Sequence, residues 1–193
     1  DCFVNEWGVA VVSNACRPSR IGEEKPEDMG IGYGLRRLVA ERARSAREAV
    51  EIAGALIEEF GYTSGRSYQF CDKNEAWVFQ IPTGRRYVAK RIPDDHVYMI
   101  PNNYTIHEVD FADAEHKNCY FSKDLVEYAM KNGWYQPAVP GDYSDFDFAR
   151  AYQDGPDKVH NLIRARQTWP MLLGERPEEW RPFSRKAPRK YTV

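Results

Sequence analysis

The spacing of apolar residues changes several times along the first hundred positions. Residues 3–14 place Val4, Val9, Val11 and Val12 around Gly8, a pattern that predicts a turn feeding a mostly buried strand. Residues 17–30 are polar, contain Pro18 and Pro26, and predict a loop ending in Gly30-Ile31-Gly32-Tyr33-Gly34. Leu35, Leu38, Val39 and Arg42 then recur at helical spacing and predict a helix over 35–44. Ser45-Ala46-Arg47-Glu48 has the form of a capping box, in which the serine hydroxyl accepts the amide three residues on and Glu48 reaches back to the cap. Behind it Ala49, Val50, Ala53, Leu56, Ile57 and Phe60 predict a helix over 46–60, with Gly61 as its stop.

From Ser67 the period shortens. Four β-rich runs, Ser67 to Cys71, Ala76 to Ile81, Arg86 to Ile92 and His96 to Ile100, are separated by turn-forming residues and predict an antiparallel meander. Ala76-Trp77-Val78-Phe79 is apolar on both faces, so the sheet should be covered on both sides, one of them by the two helices. Ser122 is expected to cap a helix carrying Leu125, Val126, Ala129 and Met130 and ending at Gly133. Helices are also predicted over 146–152 and 159–173. The division that follows is an α+β body over 1–173 and an extended tail over 174–193 marked by Pro177, Pro182 and Pro188.

Composition narrows the functional classes. The 42% hydrophobic and 13% aromatic content of the 193 residues supports a folded core, and the net charge of -2 supplies no field for holding nucleic acid or an anionic membrane. No apolar run approaches the roughly 20 residues needed to cross a bilayer. The opening Asp1-Cys2-Phe3-Val4 reads as already inside a strand and the end carries no stop signal, so the sequence is expected to be an internal piece. Cys2, Cys16, Cys71 and Cys119 form no CxxC pair, which argues against a disulfide scaffold or a zinc ribbon and leaves the compartment open.

Several candidate chemistries fail on context. There is no GxSxG, GxxxxGK[ST] or HExxH pattern. A polar loop, not a strand, precedes the glycines at 30–34. His96, His107, His116 and His160 show no metal-ligand spacing, Asp94-Asp95 follows Pro93 as a turn would, and His116 with Cys119 lacks an orienting third group.

A set of ordered segments remains. Asn5-Glu6-Trp7-Gly8-Val9-Ala10 resembles the Asn-Glu-x-Gly signature of the cysteine dipeptidases related to secernins, within the N-terminal-nucleophile (Ntn) hydrolases. The resemblance continues through Val39 to Ala43, Ala46 to Val50, Asn74 to Ile81, Val88 to Asp95 and Ile100 to Asn103, and more loosely to Ser184. It implies an αββα layered fold, of which this chain would supply a part, and hydrolysis of dipeptides by a cysteine at the mature N-terminus whose own α-amine serves as base. Cys2-Phe3 does not match the Cys-Thr context of that nucleophile, so Cys2 is taken as structural and the attacking cysteine is expected outside this sequence.

The resemblance also implies positions for the supporting residues. Asn102, with Asn103 as its rival, corresponds to an asparagine that donates to the developing oxyanion; Asn14, with Ser13 as its rival, corresponds to a second donor. Arg164, or else Arg166, resembles an arginine that tunes the nucleophile's ionisation. No cofactor or metal is implied. The expected partners are dipeptides, the remainder of the polypeptide and, as a candidate, a second copy of the chain. A secernin-like interaction protein and an amidase acting on bile-salt or penicillin-type amides are the alternatives on the same fold.

Overall fold

The computed structural model describes residues 2–16, 19–24, 30–156, 159–174 and 182–191, without the side chain of His160. The chain begins with a hairpin of β1 (Cys2–Val4) and β2 (Ala10–Ala15), followed by α1 (Gly34–Arg42) and α2 (Ala46–Phe60). The meander β3 (Arg66–Cys71), β4 (Ala76–Ile81) and β5 (Val88–Ile92) comes next, then β6 (His96–Val97) and β7 (Cys119–Phe121). Helices α3 (Leu125–Lys131), α4 (Phe148–Tyr152) and α5 (Val159–Leu173) precede β8 (Arg185–Lys186). Six strands form one antiparallel sheet in the order β1-β2-β3-β4-β5-β7, and among the described residues β6 pairs with β8 alone. The architecture is therefore α+β, with an antiparallel sheet covered by helices.

The hairpin turn shows what the Asn-Glu-x-Gly segment does physically. Asn5 Oδ1 accepts the amides of Trp7 and Val9, while its Nδ2 donates to Ala40 O at 2.9 Å and Ala43 O at 2.6 Å. Those carbonyls lie at the C-terminal end of α1, where the helix offers them no amide partner. Gly8, at φ +78, takes the left-handed position that closes the turn. One asparagine thus ties the β1–β2 turn to α1.

Helix α2 occupies the predicted residues. Ser45 Oγ accepts Glu48 N at 3.1 Å as expected, but Glu48 reaches Arg44 N at 2.7 Å, one residue before the cap. Ala46 N is taken instead by Asp72 Oδ2 at 2.8 Å, and Asp72 Oδ1 accepts Asn74 N and Glu75 N in the β3–β4 turn. The start of α2 and the meander's first turn therefore share one carboxylate.

Strand alternation sorts the sheet into two cores. Val11, Tyr68, Phe70, Trp77, Phe79 and Ile81 pack beneath α1 and α2, and Val78 and Val88 face the opposite cluster with Tyr104, Ile106, α3 and α4. Both faces of β4 are buried, as its apolar run requires. The second face also carries a polar row: Asn14 lies opposite Ser67, and Ser67 opposite Gln80.

Two expectations need correction. His96 to Ile100 does not continue the meander, because Pro93 and the Asp94-Asp95 turn swing the chain away from the sheet and the position beside β5 passes to β7. Ser122 does not cap α3. Its hydroxyl accepts Tyr87 N at 3.3 Å, and the helix begins after Asp124 with no side-chain cap. The glycines at 30–34 lead into α1, with Gly30 N on Phe60 O and Gly34 N on Ile31 O.

Gly54, inside α2, permits the closest helix–sheet contact. A Cβ there would lie 2.6 Å from Tyr87 Oη and 2.7 Å from its Cζ. Tyr87 is itself held, stacked on Phe79 with ring centroids 4.9 Å apart and donating to Glu58 Oε1 at 3.4 Å. Alanine gains about 1 kcal/mol of helix propensity over glycine, but overpacking a fixed core costs about 1–3 kcal/mol. Gly54→Ala is expected to lower the thermal unfolding midpoint, and a raised midpoint would show that Tyr87 can move.

Candidate active site

Asn14, Asn102 and Arg164, far apart in sequence, meet in one hydrogen-bonded group. Asn14 sits near the end of β2 on the sheet's second face, the parity shared by Val12 and opposite to Val11. Its Nδ2 donates to Pro101 O at 2.6 Å. Asn102 answers from the segment that crosses this end of the sheet, donating Nδ2 to Ala15 O at 2.8 Å. The two carboxamides therefore clasp each other's main chain.

Helix α5 closes the group from the other side. Asn161 Oδ1 accepts Asn102 N at 3.2 Å, and Arg164 Nη1 donates to Asn102 Oδ1 at 2.6 Å, a charge-assisted bond. Arg164 Nη1 also lies 3.5 Å from Asn161 Oδ1, a contact allowed by their i,i+3 spacing. Arg164 makes the bond to the Asn102 oxygen. Of the neighbouring residues, Asn103 is buried with its Nδ2 on Tyr104 O, and the buried Ser13 hydroxyl has no partner among the described residues.

Each asparagine amide carries two hydrogens and spends one on a carbonyl. A second N–H therefore remains on each, in a group whose acceptor oxygens are already held by donors. Such an arrangement can stabilise negative charge developing on an oxygen. Behind it runs a polar chain on the same face. Gln69 Nε2 donates to Asn14 Oδ1 and Ser67 Oγ, Gln80 Nε2 to Ser67 Oγ and Thr105 Oγ1, and Tyr98 Oη lies 2.8 Å from Thr105 Oγ1.

Sequence reasoning passed over Gln69 and Asn161. The i,i+3 placement of Asn161 beside Arg164 was available as a signal; for Gln69 the register that brings it to Asn14 is not encoded locally.

The cysteines stand apart from this group. Burial pushes the Cys16 thiol up to about 12 against the opposing charge of Arg66, and Cys119 up to about 11. Cys71 is also raised, by partial burial and then by Asp72 and Cys2. A nucleophilic thiol needs the opposite perturbation. Cys2 is exposed on edge strand β1, its sulfur 3.8 Å from Phe3 O.

The histidines are engaged locally. His116 Nδ1 lies on Cys119 O rather than on its sulfur, and His96 Nδ1 lies 2.8 Å from Ser184 Oγ. His107 Nδ1 sits 3.0 Å from Asp147 Oδ2; burial alone would raise the Asp147 carboxyl, but the His107 and Arg150 N hydrogen bonds bring it below its ordinary value. The side chain of His160 lies outside the described residues. Asp94 pairs with Arg91 and Asp95 with Lys186, so neither is a free acid–base pair. Among the described residues no three His, Cys, Asp or Glu side chains gather as a metal site would require.

Comparison with known proteins places the chain as a whole. The model of peptidase family C69 matches residues 16–193, and the chain belongs to that family. It is 30% identical over 162 residues to a "Probable dipeptidase" of Latilactobacillus sakei, covering 81% of this chain and 33% of that protein. A "Dipeptidase" of Bifidobacterium longum is 35% identical over 114 residues, 58% of this chain and 21% of the relative. A "Probable dipeptidase B" of Lactococcus lactis is 30% identical over 185 residues, 91% of this chain and 38% of its own length. The chain thus spans only a fifth to two fifths of the length of these relatives.

Thiol chemistry tests the burial pattern directly. In the native protein a thiol-reactive probe such as 5,5′-dithiobis(2-nitrobenzoate) is expected to label Cys2 and Cys71 and to reach Cys16 and Cys119 only after unfolding. Rapid native labelling at Cys16 would contradict its placement.

Proposed function

We propose that this chain forms the scaffold and the oxyanion-stabilising wall of an Ntn-type cysteine dipeptidase, the attacking cysteine being supplied by polypeptide outside this sequence. The observation that carries the proposal is the reciprocal clasp of Asn14 and Asn102 with Arg164 bound to it. The names of the relatives support the substrate class. In the four-layer αββα arrangement, the six-stranded sheet with α1 and α2 would be the first two layers.

The chemistry runs as follows under this proposal. A thiolate adds to the carbonyl carbon of the dipeptide's amide bond, and the carbonyl oxygen takes up the negative charge. The remaining N–H groups of Asn14 and Asn102 receive that oxygen. Arg164, held on the opposite end of the Asn102 carboxamide, withdraws electron density from it and strengthens Asn102 as a donor. As the tetrahedral adduct collapses, the C–N bond breaks and the amine leaves with a proton from the α-ammonium that served as base. Water then hydrolyses the thioester through a second oxyanion at the same donors.

An oxyanion donor acts mainly in the transition state, so its loss lowers kcat without weakening substrate binding in proportion. In the complete polypeptide, Asn102→Ala is expected to reduce kcat on dipeptides by roughly 10²–10³-fold with KM changed little, beyond the lowered unfolding midpoint that follows when Ala15 O loses its donor. Near-normal kcat would end the assignment. Changing Cys2, Cys16, Cys71 and Cys119 together to Ser should leave measurable turnover, whereas complete loss in a folded protein would return the nucleophile to one of the four. Turnover of acylated amines but not of dipeptides would overturn the substrate class.

A further inference from the structure

We propose that Gln69 is a positioning residue that fixes the orientation of Asn14, acting on the reaction through the Asn14 carboxamide without touching substrate. The inference rests on the oxyanion role given to Asn14 above.

A primary carboxamide has two nearly isosteric orientations related by a half-turn, and only one presents N–H where a donor is needed. At Asn14 the choice is made by two bonds of opposite polarity. Pro101 O takes Nδ2, and Gln69 Nε2 donates to Oδ1 at 3.2 Å. A half-turn would set the Asn14 oxygen against the Pro101 carbonyl and its amide against that of Gln69. The two contacts therefore lock the same state.

Gln69 is itself held by the sheet. Its Nε2 also donates to Ser67 Oγ at 3.1 Å, and Ser67 Oγ receives Gln80 Nε2 at 3.4 Å. Gln80 is pinned in turn, because its Oε1 accepts Thr105 N at 3.0 Å and Ile106 N at 3.1 Å. The orientation of Asn14 is thus referred back through the Gln69, Ser67 and Gln80 side chains to backbone amides of the crossing segment.

The Gln69 oxygen is the telling atom. Oε1 is buried and has no hydrogen-bond partner among the described residues. An apolar residue of similar length would avoid the cost of that buried acceptor, but would give up both Nε2 bonds. Gln69 keeps that unpaired oxygen because the other half of the same amide must face Asn14.

Stability and activity should therefore be separable at this position. In the complete enzyme, Gln69→Met is expected to change the unfolding midpoint little, because the unpaired oxygen goes while Asn14 Oδ1 and Ser67 Oγ lose a donor, whereas kcat falls on the order of 10-fold or more, as displaced catalytic groups do, and KM stays within about twofold. In the Asn14→Ala background the same substitution should cost no further kcat, since the group it positions is gone. Gln69→Glu provides a nearly isosteric second variant. Its ionised carboxyl cannot donate, so kcat relative to the unsubstituted enzyme should be low at neutral pH and recover as pH falls and the introduced carboxyl gains a proton. Gln69→Met should show no such recovery.

Unchanged kcat in both single variants, or losses that add in the double variant, would overturn the positioning role. Loss of kcat only in step with a lowered midpoint would do the same. If Asn14→Ala itself left kcat normal, the oxyanion role of Asn14 would be the claim that failed.

Discussion

The structure depends on a backbone problem that arises once the chain leaves β5. Residues 101–106 cross the sheet's second face without joining a ladder, yet several of their amides and carbonyls are turned from water, and buried main-chain groups must find partners. Carboxamide side chains supply them. Asn161 Oδ1 takes Asn102 N, Gln153 Oε1 takes Tyr104 N, and Gln80 Oε1 takes Thr105 N and Ile106 N. Asn14 satisfies Pro101 O and Asn102 satisfies Ala15 O. Asn14, Gln80, Gln153 and Asn161, from four separate parts of the chain, act together on the crossing as a neighbouring strand would, and Asn102 returns one bond to β2.

That constraint explains why the candidate site and the fold share residues. The carboxamide is the one side-chain group offering both donor and acceptor in the geometry of a peptide bond, so it can substitute for a strand at either polarity. It also leaves spare hydrogens. The proposed site would be a by-product of the crossing: wherever a carboxamide spends one N–H on the main chain, a second is left at a fixed place and direction. Rigid placement costs nothing further, because the sheet that fixes Gln80 and Ser67 is already buried between two apolar clusters.

How much of this the sequence reveals depends on the range of the signal. Helix α2 and strand β4 have the bounds that their patterns predict, since capping at Ser45 and an apolar run between turns are local facts. The division into strands was equally legible for β3 and β5, to within two residues at each end. Strand β7 was missed because three residues, Cys119–Phe121, carry too little pattern to announce a sheet position. The run from His96 has strand composition, but its partner, Arg185–Lys186, lies some ninety residues away and nothing near His96 specifies it. Ser122 misled for a related reason: a serine before an apolar helix looks like a cap until Tyr87 N is found on its hydroxyl. Asn14, Asn102 and Arg164 were located by resemblance, whereas their mutual bonds, and the part of Gln69, depend on strand register and on the crossing.

The double duty proposed for Asn14 and Asn102 would constrain what residue could stand at either position. Aspartate would keep the shape but supply no N–H, leaving Pro101 O or Ala15 O without its donor and, on that proposal, placing an anion where the oxyanion would form. At 102 it would attract Arg164 more strongly and still remove the proposed donor. Serine or threonine has a single hydroxyl hydrogen, which either the backbone carbonyl or the developing charge could take, but not both. Glutamine has the two hydrogens on a longer arm and would have to displace the clasp to fit. On the proposed role the requirement is for one amide hydrogen to fold the crossing and a second to meet the charge, at a reach of one methylene from the main chain, and asparagine alone among the twenty side chains meets it.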